Sequence, residues 1–292
     1  MDLPRRGSAI DVVIAGKARS QFGVIGRGQL LDLGLTYKAI STRVRRGALE
    51  PLFPRAFIIG GAPATWEAKL LAAQLSLGQR AGVSHRSSAA YQGLEGYNPG
   101  LLELTLGGSG RAQLKGIRIH RSTTLSEKDL VQAGPFRLTR PERLMIELAS
   151  VVSPRMLDAA FDSILFKGLS TFPRVAEYLD RVRTQGLKGV SALEQMLDRR
   201  DPNQAPAESL FETDFYRLLR DSPWANADFQ FEVFDEQGFV GRLDVAYPAC
   251  KVGIEAQSYR YHSPRERMIR DDQRHNRLAS AGCGCYMRAM RI

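Results

Sequence analysis

Two carboxylates, Asp244 and Glu255, stand on either side of a turn-forming run, Pro248 to Lys251. The surrounding stretch, Gly238 to His262 (GFVGRLDVAYPACKVGIEAQSYRYH), alternates as two short strands do. In the first strand Leu243, Val245 and Tyr247 are expected on one face, with Asp244 and Ala246 on the other. In the second, Gly253, Glu255 and Gln257 share a face opposite Val252, Ile254 and Ala256. If the turn closes Tyr247 against Val252, Asp244 falls directly across from Glu255. Carboxylates one cross-strand pair apart repel unless positive charge lies between them. Two arrangements meet that need. One is a divalent cation, Mg2+ or Mn2+, which prefers hard oxygen ligands. The other is a set of arginines, for which Arg242, Arg260 and Arg274 are at hand.

At 292 residues the chain is long for one core, so two or three domains are expected. Its 43% hydrophobic content is that of a globular protein, and its net charge of +10 favours an anionic partner, most simply nucleic acid. The opening residues, MDLPRRGSAI, hold no apolar run, and no stretch approaches the roughly 20 apolar residues of a membrane span. A cytoplasmic protein with no membrane partner is expected. Cys250, Cys283 and Cys285 lack CxxC spacing and are odd in number, which favours reduced thiols over a zinc site or disulfide frame.

The N-terminal third reads as three helices and a hairpin. The first helix is expected from Ile10 to Phe22, with Val13, Ile14, Ala18 and Phe22 inward, and Gly23 stops it. A second runs from Arg27 to Leu33. Thr36 caps a third, Tyr37 to Arg46, which ends at Gly47. With Ala39, Ile40 and Val44 inward, Tyr37, Lys38, Ser41, Thr42, Arg45 and Arg46 are left outward. LEPLFPRAFIIGG then forms a hairpin with Arg55 at its turn. This is the plan of a winged helix-turn-helix, whose third helix enters the DNA major groove. The outward set suits phosphates and base edges, and Arg55 would meet backbone phosphate or minor groove. Residues 1–60 carry ten basic and four acidic side chains. A winged helix used for protein contacts, with its arginines solvated, is the competing reading.

The run GVIGRGQLLDLGLTYKAISTRVRRGALEPLFPRAFIIG resembles the N-terminal domain of AbiEi-type antitoxins of bacterial abortive-infection and toxin–antitoxin systems. The likeness lies in the order of a Gly before the second helix, Gln-Leu-Leu, a Leu-Gly-Leu break, an Arg-rich helix and a Gly-x-Leu entry to the wing. It continues through TWEAKLLAAQLSLGQRAGVSHRSSAAYQGL. It implies DNA binding, often at the protein's own promoter, and leaves a cognate toxin open as a partner; it does not by itself imply an enzymatic activity.

In the middle, Thr65 caps a helix from Trp66 to Leu77, and Ser84 opens another. Ser84 to Ser88, with His85 and Arg86 among them, lack a G-x-S-x-G elbow, so their hydroxyls read as caps. LLELTL and LKGIRIHRS read as paired strands. His120 and Arg121 are open to a phosphate contact or to a structural role. Thr139-Arg140-Pro141-Glu142 has the form of a capping box. Asp198 to Ala207, polar with two prolines, reads as a linker.

In the C-terminal third a helix from Glu208 to Arg220 precedes the strands, with Ser209 to Glu212 fitting a capping box. A basic helix from about Pro264 to Ala281 follows them, buries Leu278, and carries Arg267, Arg270, Arg274 and Arg277. This layout resembles the PD-(D/E)xK restriction-endonuclease-like fold, and most closely the very-short-patch-repair-like nuclease domains. The matching residues are Ser209-x-x-Glu212, Gly241-Arg242-x-Asp244 with Tyr247-Pro248, Glu255, Tyr259-x-Tyr261-His262, and Asp271-x-x-Arg274 with Asn276 and Leu278. The resemblance implies Mg2+ or Mn2+ held by Asp244 and Glu255, with Glu212 helping through the metal or a water. His262 or an arginine would balance charge on the leaving side, and Arg270 and Arg274 would meet DNA. The chain departs from that pattern at Gln257, where the family has an acid or lysine, and in the tail GCGCYMRAMRI, where Cys283 replaces a Trp.

A multidomain α/β protein is therefore expected. It would have a winged helix-turn-helix over residues 8–62, a mixed α/β middle region over 63–197, and a restriction-endonuclease-like α/β/α domain over 205–292. The expected function is DNA binding with metal-dependent phosphodiester cleavage. The alternative is an antitoxin-like transcriptional regulator whose nuclease fold does not cleave.

Overall fold

The computed structural model describes residues 6–108, 112–203, 206–207, 210–220, 222–257, 277–278 and 285–290. The chain is mixed α/β with three sheets, and it divides into two compact units. One comprises Met1–Val152 with Arg174–Leu193, the other Ser153–Pro173 with Glu194–Ile292. Among the described residues no helix is long and apolar enough to cross a membrane.

The first unit opens with α1 (Arg6–Arg19), β1 (Val24–Gly26), α2 (Arg27–Asp32), α3 (Tyr37–Arg45), β2 (Leu49–Phe53) and β3 (Ala56–Ile59). α1 ends three residues earlier than expected, and Phe22 and Gly23 both take left-handed backbone, φ 55° and 78°, in the turn that follows. Only Ile14 and Ala18 of its expected stripe are buried; Val13 and Phe22 are exposed. The start of α2 is fixed by Gln29, whose Oε1 accepts from the Gly26 amide at 2.8 Å while its own amide pairs with Gln21. Thr36 caps α3 by accepting from the Ala39 amide at 3.2 Å. The strands form an antiparallel sheet in the order β1-β3-β2, with Arg55 at the β2–β3 turn in left-handed conformation, φ 66°. Ile14, Ile25, Leu30, Leu35, Ile40 and Leu49 make the core between helices and sheet.

The unit continues with α4 (Trp66–Leu77), β4 (Ala81–Val83), α5 (His85–Tyr91), β5 (Leu102–Gly107), β6 (Ile117–Ser122), β7 (Leu130–Ala133), β8 (Phe136–Thr139) and α6 (Pro141–Ala149). Its sheet has the order β6-β5-β4-β8-β7, and the expected β5–β6 pairing is parallel. α4, capped by Thr65, is buried from Leu70 to Gln74 and again at Ser76. One core joins it to Val24, Ala56 and Ile58 on one side and to Val83, Leu104, Phe136 and Leu138 on the other. Its alanines allow that close approach from both sides. The expected capping box at Thr139 does not form as such. Arg140 is the N-cap residue, Thr139 Oγ1 donates to Glu147 Oε2 at 2.8 Å, and Glu142 pairs with Arg174 at 2.8 Å.

The second unit holds α7 (Pro154–Phe166). Across the division between units run α8 (Phe172–Val182) and α9 (Val190–Asp198), followed by α10 (Leu210–Arg220), β9 (Asp228–Asp235), β10 (Gly238–Tyr247), β11 (Val252–Gln257) and β12 (Cys285–Met290). The sheet order is β12-β11-β10-β9, antiparallel except for the parallel β11–β12 pair. The tail thus supplies a strand over Cys285–Met290. α7, expected in the middle region, groups with this unit, where it meets α10 and Arg200. That residue lies in the run read as a linker, yet its guanidinium is buried between Asp158 and Asp162 of α7, at 3.2 and 2.5 Å.

The hairpin closes as expected, with Tyr247 paired to Val252. The paired residues run from Tyr247–Val252 to Val245–Ile254, one position short of Asp244 and Glu255. The strict alternation expected along β10 does not hold. Val245 and Ile254 pack with Tyr216 and Leu219 of α10, whereas Leu243 and Ala246 pack with Val233, Val240 and Leu278 on the other side. The break falls at Asp244, between the pairs Leu243–Phe231 and Val245–Phe229. The β9 residue there, Gln230, has φ 53°, and the Asp244 carbonyl accepts from the Tyr216 hydroxyl at 3.3 Å. Asp244 meets Tyr216 of α10 through its carbonyl and Gln230 through its carboxylate.

Candidate functional site

The acidic residues converge on one side chain that sequence reading did not single out. Glu212 lies in the first turn of α10 and is 8% exposed; Tyr216 follows one turn later on the same face. Gln230 Nε2 donates to Glu212 Oε2 at 3.3 Å, to Tyr216 Oη at 3.0 Å and to Asp244 Oδ1 at 3.2 Å. The other end of that amide, Oε1, is buried with no hydrogen-bond partner among the described residues. Burial pushes the Tyr216 hydroxyl well above its ordinary pKa. The Gln230 hydrogen bond opposes this, and the charges of Glu212 and Asp244 reinforce it, so the phenol keeps its proton.

Glu212 and Asp244 supply the hard oxygens that a divalent cation prefers. At 3.2–3.3 Å the Gln230 amide donates to both carboxylate oxygens, so an N–H donor bridges the two acids in this arrangement. Turning the amide over would present Oε1, a carbonyl-type ligand now without a partner, beside them. Glu212, Asp244 and, with its amide turned, Gln230 are the described side chains that bring oxygen atoms to this point. Among the described residues no three His, Cys, Asp or Glu side chains form a group able to hold one. The side chains of Glu255 and Gln257, and all of Arg260, His262, Arg270 and Arg274, lie outside the described residues. A cavity of about 540 Å³ opens beside Gln230, with Arg199 and Arg220 on its wall.

On the N-terminal surface, Tyr37, Lys38, Ser41, Arg45, Arg46 and Arg55 are exposed. Thr42 is half-buried and bound to its own helix, donating to the Lys38 carbonyl at 2.9 Å. Arg43 turns back to Asp11 at 2.8 Å. The Arg27 guanidinium lies 5.6 Å over the Tyr37 ring, adding a cation to the α3 N-terminus.

Tyr216 was legible in principle as the residue one turn from Glu212. Gln230 was not, because its role depends on the β9–β10 pairing. No protein-family model matches the chain, and no curated protein matches it in sequence.

Proposed function

We propose that the chain binds DNA through a winged helix-turn-helix and cleaves phosphodiester bonds with a divalent metal at Glu212, Asp244 and Gln230. The observation that carries this reading is the convergence of two carboxylates, one from a helix and one from a strand, on a single amide end. The order of α1, α2, α3 and the β2–β3 hairpin, with cations exposed on α3 and at the hairpin turn, supports the DNA-binding half. Lys38, Arg45, Arg46 and Arg55 would contact phosphates and fix the register of the duplex. When bound, the metal would polarise the scissile phosphate and lower the pKa of an attacking water. Tyr216, kept protonated, orients the Asp244 backbone, and Gln230 can offer either a donor or an acceptor at the site.

The second reading is an antitoxin-like transcriptional regulator with a partner toxin and no cleavage. Gln257 favours it, because an amide cannot take a proton from water as a lysine or carboxylate can.

The test is nicking of supercoiled plasmid by the full chain. Under the cleavage reading nicking appears in Mg2+ or Mn2+ and stops with chelator, and Gln230→Ala needs about tenfold more metal, the loss of roughly 1.4 kcal/mol of ligation. Folded protein that shifts DNA in a gel yet never nicks it would establish the regulator reading.

DNA binding has its own check. Arg45→Ala combined with Arg46→Ala is expected to lower affinity and flatten the slope of log affinity against log salt by about two units, nearly one per lost phosphate contact. An unchanged slope would remove α3 from the interface.

A further inference from the structure

The first unit contains a polar cavity of about 420 Å³ at the β5–β6 side of its sheet. Two imidazoles form one wall. His85 and His120 stack with ring centres 3.5 Å apart and planes 13° from parallel. Each ring spends one nitrogen on the protein: His85 Nδ1 lies 2.9 Å from Ser84 Oγ, and His120 Nε2 donates to Glu103 Oε1 at 3.1 Å. The remaining nitrogens, His85 Nε2 and His120 Nδ1, have no partner among the described residues, and both rings line the cavity. His85 is 4% exposed and sits at φ 50°, a left-handed conformation that a non-glycine residue holds only where its surroundings impose it. Burial, the neighbouring His120 and nearby arginines drive its pKa down to about 3, against the pull of Glu103, so the ring stays neutral.

Other lining residues suit negative charge. Arg143, 3% exposed, donates to Glu147 Oε1 at 3.3 Å, to Thr124 Oγ1 at 3.2 Å and to Ser122 Oγ at 3.0 Å. That clamp fixes a guanidinium and a hydroxyl-bearing loop in one place. Arg121 and Lys188 add positive charge, and the lining carboxylate is Glu147. Burial raises the Glu147 pKa, although Arg143 and the Thr139 and Thr105 hydroxyls oppose the shift. The cavity therefore holds an excess of cations, hydroxyl donors and two stacked imidazoles, at a volume within the range of small-molecule sites.

We propose that this cavity binds a phosphate monoester of nucleotide size. Arg143, Lys188 and the Ser122–Thr124 hydroxyls would hold the phosphoryl group, and the His85–His120 pair would meet the remainder. Planar guanidinium and ammonium groups among hydroxyls are the usual phosphate-recognising set. The chemistry is shared by a free nucleoside monophosphate and by the 5′-phosphate end of a DNA strand.

Isothermal titration of the full chain separates these sources. The probes are AMP, adenosine, and one short oligonucleotide with either a 5′-phosphate or a 5′-hydroxyl. AMP binding at least tenfold tighter than adenosine assigns a free nucleotide. A 5′-phosphate preference without AMP binding assigns a strand end. In either case Lys188→Ala, at an exposed position, should weaken binding at least fivefold with unchanged melting temperature, and His120→Asn should also weaken it. The proposal is overturned if neither phosphate form is preferred, or if Lys188→Ala and His120→Asn both bind as the wild type does. Neither result depends on whether the chain nicks DNA.

Discussion

Arg200→Ala is expected to destabilise the C-terminal unit by about 3–5 kcal/mol, the usual cost of removing one partner from a buried ion cluster. The guanidinium is 7% exposed and lies 5.0 Å from the centre of the Phe161 ring. It donates to Asp162 Oδ1 at 2.5 Å and to Asp158 Oδ1 at 3.2 Å, and both carboxylates are about as buried as it is. Without it, Asp158 keeps Arg217 at 3.3 Å and Asp162 keeps the Thr213 hydroxyl at 3.1 Å. One half-exposed arginine and one neutral hydroxyl do not replace a fork donor shared by two buried charges. Arg200→Lys should fall between, since an ammonium keeps the charge and loses the planar fork. The comparison is Arg155→Ala, which breaks the bidentate Arg155–Asp214 pair on the surface of the same unit. That pair is exposed on both sides and should be worth no more than about 1 kcal/mol. Urea unfolding of the three variants measures the difference. Equal midpoints for Arg200→Ala and Arg155→Ala would show that the cluster does not hold the unit together.

The contrast between Arg200 and the helix caps shows where sequence reading reaches. Thr36, Thr65 and Ser153 cap their helices through amides three residues away, so local spacing reveals them. The Tyr247–Val252 closure is equally local, set by a short turn between two alternating runs. Arg200 sits among polar residues and prolines that look like a linker, and its partners lie about forty positions earlier. The His85–His120 stack joins residues from α5 and β6 in the same non-local way. Thr139 looked like a cap because the capping pattern is local, but a buried Glu147 claims its hydroxyl. Asp244 shows the subtlest limit. The alternation of β10 is legible, yet Leu243 and Val245, on either side of Asp244, pack on opposite sides of the sheet, beside a Gln230 of left-handed backbone on the neighbouring strand. A two-residue period cannot report a change of face within one strand.

That change of face is what makes Asp244 the decisive residue for the proposed cleavage. On strict alternation it would share a face with Ala246, which packs toward Leu278 and not toward α10. The observed backbone instead sets its carboxylate 3.2 Å from the amide end that also meets Glu212. If the site holds a metal, Asp244→Ala removes one of two charged ligands and should lower plasmid nicking at least about a hundredfold, because roughly 3 kcal/mol of transition-state stabilisation goes with it. Asp244→Asn keeps the shape, removes the charge and should lose nearly as much. A fold defect would lower nicking too, so melting temperature and gel-shift affinity must be read beside it. Both should stay near the wild-type values for Asp244→Asn, since the proposed DNA contacts lie on α3 and at the β2–β3 turn in the other unit. Raising Mg2+ or Mn2+ should recover part of the Asn variant's activity if the loss is one of metal affinity. Full nicking by both Asp244 variants at matched metal would place the chemistry elsewhere and leave the Glu212–Gln230–Asp244 cluster a structural clamp between α10 and the sheet.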